Sequence, residues 1–260
     1  MSLQGEGWYA DPQDGRRLRW WDGERWTEHT HAREAAGSGR SHPRLGTGWR
    51  ALAVVVQLAL LGCVATSAFV LYTDLAILDF VEELALRPDG VDVEDGVRID
   101  RLMALSLVDV GATLLTGVLF ISWHYQLHNS SRMDRSAMRH GTGWTIGGWL
   151  VPVLSLWRPF QMVTDVRRGL TGDGAARPWR LQGWWWGCFA TSLAIGQVAS
   201  YFYNRTNAIP EDDFPGYVDL IGTAAAWERW SAGLSMVAAM LAIVLVRRMT
   251  RQAVAEPAAA

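Results

Sequence analysis

The sequence predicts a mainly α fold: a four-span transmembrane helical bundle with a re-entrant or interfacial segment, preceded by a small WW-like β-meander. Three observations carry this prediction. Half of the 260 residues are apolar and only 19% are charged, a composition that leans towards membrane. The apolar residues gather in runs of about 20, the length a helix needs to cross ~30 Å of hydrocarbon. Tryptophans and Asp-Gly dipeptides crowd residues 7–31, where no such run exists. In lipid every backbone polar group needs an internal partner, so uninterrupted apolar runs are helices.

The N-terminal module comes first. Asp14-Gly15 and Asp22-Gly23 are hairpin-turn dipeptides, with short strands at 16–21 and 25–29. The result is a meander of two or three strands over residues 1–31, pinned by Trp8, Trp20 or Trp21, and Trp26. A chain of under ~40 residues is marginal without a staple, so these rings must supply most of its core. The start of the chain has no apolar h-region of a signal peptide, which leaves the first span to act as an uncleaved signal-anchor. Residues 32–48, rich in Gly, Ser, Arg and His, read as a flexible linker.

The membrane domain occupies 49–250, with a disordered tail at 251–260. Spans are expected at 51–71, 102–123, 184–203 and 221–246. Trp49 and Tyr72 bracket the first as interfacial aromatics. Asp109 interrupts the second, Trp184-Trp185-Trp186 opens the third, and Arg247-Arg248 stops the fourth. The stretch 144–157 is apolar but short and contains Gly147, Gly148 and Pro152, which suits a re-entrant or interfacial segment. The arginines arbitrate, because arginine in short loops marks the cytoplasmic side. Four crossings put Arg132, Arg135, Arg139, Arg158, Arg167, Arg168, Arg247, Arg248 and Arg251 on one side with both termini. The acidic 74–101 loop then lies opposite. A fifth crossing would scatter those arginines. Residues 159–170 read as an amphipathic helix on the cytoplasmic interface, with Phe160, Val163 and Val166 facing away from Gln161, Asp165 and Arg168. The 74–101 loop begins with a helical apolar spacing, so the first span is expected to extend outward as far as Pro88-Asp89-Gly90.

Charge and composition also bound the partners. A net charge of −2 with no basic stripe gives no reason to expect nucleic acid. The lipid bilayer is one expected partner and a protein bound through the N-terminal module is the other; oligomeric state stays open. Cys63 and Cys188 fall at depths differing by over ~10 Å, too far apart for a disulfide. There is no lysine, hence no Walker lysine, and no Gly-x-Ser-x-Gly elbow. No catalytic, cofactor-binding or metal-binding residues are predicted.

The candidates that remain lie within the bilayer. An intramembrane carboxylate such as Asp109 is costly and faces a partner or a wet cavity. Glu228 and Arg229 lie at a comparable depth. One reading is a structural Asp109–Arg229 pair locking two helices together; the other is an ion or proton path lined by Asp109 and Glu228. His124 and His128 have metal-ligand spacing but no third ligand, and they emerge where a span snorkels into the cytoplasm. Trp149, Pro152, Trp157 and Arg158 mark the re-entrant segment, with lipid headgroup contact as the default role. Ser192, Gly196 and Ser200, with Ser231 and Ser235, form small-residue seams.

Two resemblances accompany this reading. Gly7-Trp8-Tyr9, Asp11-Pro12, Arg19-Trp20-Trp21-Asp22-Gly23 and Trp26-Thr27 resemble a short domain of unknown function (family 2510) common at the N-termini of actinobacterial membrane and secreted proteins. Trp123-His124, Asn129, Gly143-Trp144, Gly148-Trp149, Val151-Pro152 and Trp157-Arg158-Pro159 resemble a multi-pass actinobacterial family of unknown function (family 4328). Neither resemblance implies a reaction. The expected function is non-enzymatic: a membrane scaffold or partner-binding protein. The alternative is a small transporter or channel subunit using Asp109 and Glu228.

Overall fold

The computed structural model describes residues 5–14, 17–32, 43–87, 93–210 and 213–255. They divide into two compact units, Met1–Pro43 and Arg44–Ala260.

The first unit is a three-stranded antiparallel sheet, β1 (Gly7–Ala10), β2 (Arg17–Trp21) and β3 (Trp26–Ala32), in the order β1-β2-β3. Asp22 begins the second turn, its Oδ1 accepting the amides of Glu24 and Arg25 at 2.9 and 2.8 Å. Gly23 takes φ 98°, a left-handed conformation that favours glycine. The other predicted turn dipeptide, at Gly15, lies outside the described residues. Side chains alternate across a strand, and the register Trp8↔Trp20 and Trp21↔Trp26 sorts the aromatics onto two faces. Trp8 meets Trp20 at 5.4 Å and His31 at 4.7 Å. Tyr9 and Trp21 meet Trp26 on the reverse, at 6.3 and 5.1 Å. The expected single tryptophan core is therefore two half-cores, and β2 contributes both Trp20 and Trp21.

Among its described residues only Asp11 is buried. Its carboxylate accepts the Gln13 amide at 2.8 Å and Arg19 Nε at 3.1 Å. The amide first, and the guanidinium after it, hold the Asp11 carboxyl below the usual carboxylate range. A depressed carboxylate stabilises the fold above its ordinary titration range and loses that contribution as pH falls through the folded value. An NMR titration of Asp11 should therefore show a midpoint below ~4. The Arg19→Ala variant should lose part of the depression and keep the part that the Gln13 amide supplies.

The second unit is helical: α1 (Thr47–Leu86), α2 (Val93–Ser106), α3 (Val108–His128), α4 (Trp144–Leu150), α5 (Arg158–Thr171), α6 (Arg180–Thr206) and α7 (Phe214–Val254). Three stretches are long and apolar enough to cross a membrane: Thr47–Leu86, Glu94–His128 and Phe214–Val254. The third expected span, 184–203, falls in α6, which has 27 residues. That is long enough at ~1.5 Å per residue, but its tryptophans, glycines and glutamines make it less apolar.

The expected extension of the first span is present, since α1 runs unbroken past Tyr72 to Leu86. Much of the predicted 74–101 loop is thus helix, and α2 continues into α3 after one turn residue at Leu107. Pro88, Asp89 and Gly90 lie outside the described residues. Of the expected tail, residues 251–254 are helical and 256–260 lie outside the described residues. Helix α7 continues to Val254, and Arg132 donates to the carbonyls of Ala253 (3.0 Å) and Ala255.

Packing runs in sequence around the bundle: α3 on α1, α1 on α7, α7 on α6. Polar links stitch each pair. Cys63 Sγ lies 3.2 Å from Thr116 Oγ1 between α1 and α3. Arg247 Nε donates to Gln57 Oε1 at 2.7 Å between α7 and α1. Ser231 Oγ donates to the Ser192 carbonyl at 2.9 Å, beside Gly196, along the α6–α7 seam. Both cysteines are free.

Trp49 is 3% exposed, so it is a core residue and not the lipid-facing belt residue expected. It stacks on Trp123 at 6.0 Å, and its Nε1 donates to the Trp123 carbonyl at 3.3 Å. Trp123 is itself fully buried. Trp123→Ala should lower unfolding stability in detergent by ~3–5 kcal/mol, read as a fall in Tm. Trp184→Ala, at an exposed ring, should change it by under ~0.5 kcal/mol.

Candidate functional site

Three layers follow one another along the inside of the bundle. At the arginine-rich end, Asp165 of α5 is fully buried. Its Oδ2 pairs with His140 Nδ1 at 2.6 Å and accepts the amides of His140 (2.9 Å) and Arg139 (3.3 Å). Its Oδ1 accepts Arg168 Nη1 at 2.8 Å. Beside it His128 Nδ1 lies 3.1 Å from Thr142 Oγ1, which Arg135 also reaches at 3.3 Å. His124 and His128 are thus buried, at 1% and 0% exposure, and do not snorkel. No group of three or more metal-ligating side chains forms among the described residues.

This clasp fixes α5 beneath the bundle. Gln182 of α6, fully buried, donates Nε2 to the Phe160 carbonyl (2.6 Å) and Thr164 (2.9 Å). Pro159, Met162, Val163, Thr164, Asp165, Val166 and Gly169 of α5 are all buried. The expected amphipathic helix on the membrane surface is therefore a packed element. Its presumed polar face carries the carboxylate that holds the clasp.

The second layer is an apolar cleft of about 330 Å³. Its walls are Leu60, Cys63 and Ser67 of α1, Thr113, Gly117 and Phe120 of α3, and Ser235, Ala238 and Ala242 of α7, with Trp149, Trp185 and Phe189 at one end. Helices α3 and α6 meet where Phe120 approaches Trp185 at 6.0 Å, but they are otherwise not packed on each other. The cleft lies in that gap. Trp149 closes its arginine-rich end, with Phe120 at 6.3 Å and Trp186 and Phe189 each at 6.0 Å.

The third layer is charged. The Asp109 Oδ1 accepts Thr66 Oγ1 at 2.5 Å and Ser67 Oγ at 3.0 Å. Tyr203 of α6 stands beside Glu228 of α7, which also feels the charges of Asp109 and Asp74. Asp74 is 1% exposed and faces Glu228 and Arg229, yet its Oδ2 has no hydrogen-bond partner.

The structure brings Asp109, Glu228 and Arg229 into one layer but does not pair Asp109 with Arg229. Hydroxyls of α1 take the carboxylate instead, and among the described residues no ion pair includes Arg229. Asp74, Tyr203 and Asp165 were not singled out in sequence. Asp74 had a signal: it continues the α1 stripe of Leu60, Cys63 and Ser67 at helical spacing. Asp165 looked like half of a local pair with Arg168, since its other partners, His140 and the Arg139 amide, come from a loop about 25 residues away.

The broken segment is a short hairpin. Helix α4 has seven residues, ~10 Å of helix. Its tip exposes Leu150, Val151, Val153, Leu156 and Trp157, with Pro152 exposed beside them. Arg158 braces the base, lying 4.8 Å over the Trp144 ring and donating to Gln161 at 3.0 Å. A Cβ at Gly148 would come within 2.7 Å of its Cγ, so Gly148 permits the close approach of α4 to α5.

The model of the family described as Domain of unknown function (DUF4328) matches residues 92–251, more than half of the chain. The chain belongs to this family. A second family, Protein of unknown function (DUF2510), matches residues 7–39. Both fall in the order the residue patterns gave. No curated protein and no solved structure is detectably similar to the chain. The DUF4328 match runs from the start of α2 to near the end of α7 and includes the clasp, so Asp165 and Asp109 are both within it.

Removing one partner of a buried ion pair leaves an uncompensated charge and costs ~3–5 kcal/mol. Asp165→Ala should destabilise the chain by that order in thermal unfolding. Asp134→Ala, which removes a cap accepting Ser136 N at 2.9 Å on the surface, should cost only ~1 kcal/mol.

Proposed function

We propose that this DUF4328 protein is a non-enzymatic scaffold of a bacterial inner membrane, crossing it four times with both termini in the cytoplasm and binding a protein partner through its N-terminal module. The observation that carries this reading is the module's sheet. It has aromatic rings on both faces, and within the module itself no second layer of described residues covers either one. Trp8 is 40% exposed, and exposed aromatics on a rigid strand are the anchors that partner-binding surfaces use. Four crossings are supported by the length of α6 and by α4 being too short to cross. They are also supported by the arginines gathered around the clasp. The exposed tip of the 150–157 hairpin suits insertion into the inner leaflet.

A second reading, a small transporter or channel subunit using Asp109 and Glu228, is favoured by the unpartnered Oδ2 of Asp74 beside Glu228. The two readings separate by photo-crosslinking from position 8 in intact cells. The scaffold reading expects one discrete adduct, lost when Trp26→Ala disrupts the reverse face. It also expects unchanged proton permeability in vesicles carrying Glu228→Gln. No adduct from either face, with a proton leak that Glu228→Gln abolishes, would replace it with the transporter.

A further inference from the structure

We propose that the cleft between α3 and α6, together with the carboxylates at its acid-rich end, binds a lipophilic cation that enters from the bilayer. This goes beyond the scaffold role and does not depend on it.

The argument begins with helical spacing. Side chains three and four residues apart share a face. On α3, Asp109 stands above Thr113, Thr116, Gly117 and Phe120, all of which line the cleft. On α7, Glu228 and Ser231 stand above Ser235, Ala238 and Ala242 of the same wall. On α1, Asp74 continues the stripe of Cys63 and Ser67. Asp109 therefore stands about one turn, and Asp74 and Glu228 about two turns, beyond the lining of the cleft. Ser67 joins the two layers, lining the cleft while donating to Asp109.

Charge then selects the ligand. Asp74 feels the carboxyl of Glu228 and the guanidinium of Arg229, and Glu228 feels Asp109. Both hydroxyls at Asp109 are spent on Oδ1, and the buried Asp74 Oδ2 has no partner. An unpaired carboxylate in low dielectric is costly unless a cation compensates it or a proton neutralises it. The opposite end of the cleft offers the rings of Phe120, Trp149, Trp185 and Phe189, which favour apolar groups and the faces of cations. About 330 Å³ lies at the lower end of small-molecule sites, which run ~300–1,000 Å³. A bilayer acyl chain would fill the apolar part but leave the carboxylates unmet. Leu114 and Val118, 67% and 63% exposed, flank the gap, so access from the bilayer needs no opening of the clasp.

The test uses the full chain in lipid nanodiscs and two probes of one shape and opposite charge, tetraphenylphosphonium and tetraphenylborate. Saturable phosphonium binding at one site per chain is expected, with the borate weaker by at least ~tenfold. Gly117→Leu should weaken phosphonium binding by a similar factor, because a Cβ there meets nothing within 4 Å and the side chain fills the cleft without a clash. Asp109→Asn should do the same while keeping an acceptor for Thr66 and Ser67. Equal binding of both ions, lost in Gly117→Leu, would make the cleft a groove for lipid chains and overturn the proposal. Phosphonium binding indifferent to both substitutions, or no saturable binding, would overturn it too.

Discussion

The helical unit depends on how one buried carboxylate, that of Asp165, is satisfied. A charge with no solvent exposure is tolerated only when it is paired and hydrogen-bonded, and Asp165 meets that condition fourfold. It holds the His140 ring, the Arg168 guanidinium, and the amides of Arg139 and His140. These bonds tie the segment after α3 to α5. Helix α5 then holds α6 through Gln182, and the hairpin before it carries Trp149 across the end of the cleft. The Arg132 guanidinium adds a second tie at this end, donating to the Ala253 carbonyl at the end of α7.

The polar residues inside the bundle fall into two kinds. Cys63 with Thr116 and Ser231 with Ser192 are matched donors and acceptors between neighbouring helices, and Gln57 with Arg247 repeats the arrangement at the exposed surface. Such pairs fix helix register in a setting where apolar packing alone discriminates poorly. The carboxylates at the acid-rich end are different. Asp109 is half-satisfied by α1 hydroxyls, Glu228 stands beside Tyr203, and Asp74 is satisfied only in part. They sit between the apolar cleft and a second small core of Ile77, Ile99, Ile221 and Ala225. The interior is therefore polarised, aromatic at one end and anionic at the other.

Much of this was legible in the sequence, and the reason is physical. Hydrocarbon imposes a length and a composition on any helix that crosses it, so 51–71, 102–123 and 221–246 fall inside long apolar helices. The aromatic and Asp-Gly pattern of 7–31 gave a meander because turns and alternation are local. What the sequence hid was tertiary. Trp49 beside an apolar run looks like an interfacial anchor, and only the position of Trp123 buries it. Asp165 on an amphipathic pattern looks solvated until His140 is brought across a 25-residue separation. Asp109 and Arg229 invite pairing by depth, but Thr66 and Ser67 are closer on the neighbouring helix. Helix α6 sits at the margin because tryptophan is apolar in body and polar at its edge.

The central claim is that the clasp closes the cleft to water at the arginine-rich end. Cys63, a native thiol in the cleft wall at 8% exposure, reports on it directly in a Cys188→Ser background. Inverted membrane vesicles would be treated with a charged, membrane-impermeant thiol reagent, with and without Asp165→Ala. The account predicts no labelling of Cys63 in the parent chain and labelling once the clasp is broken. Rapid labelling of the parent would mean an aqueous path past Asp165 and would contradict it.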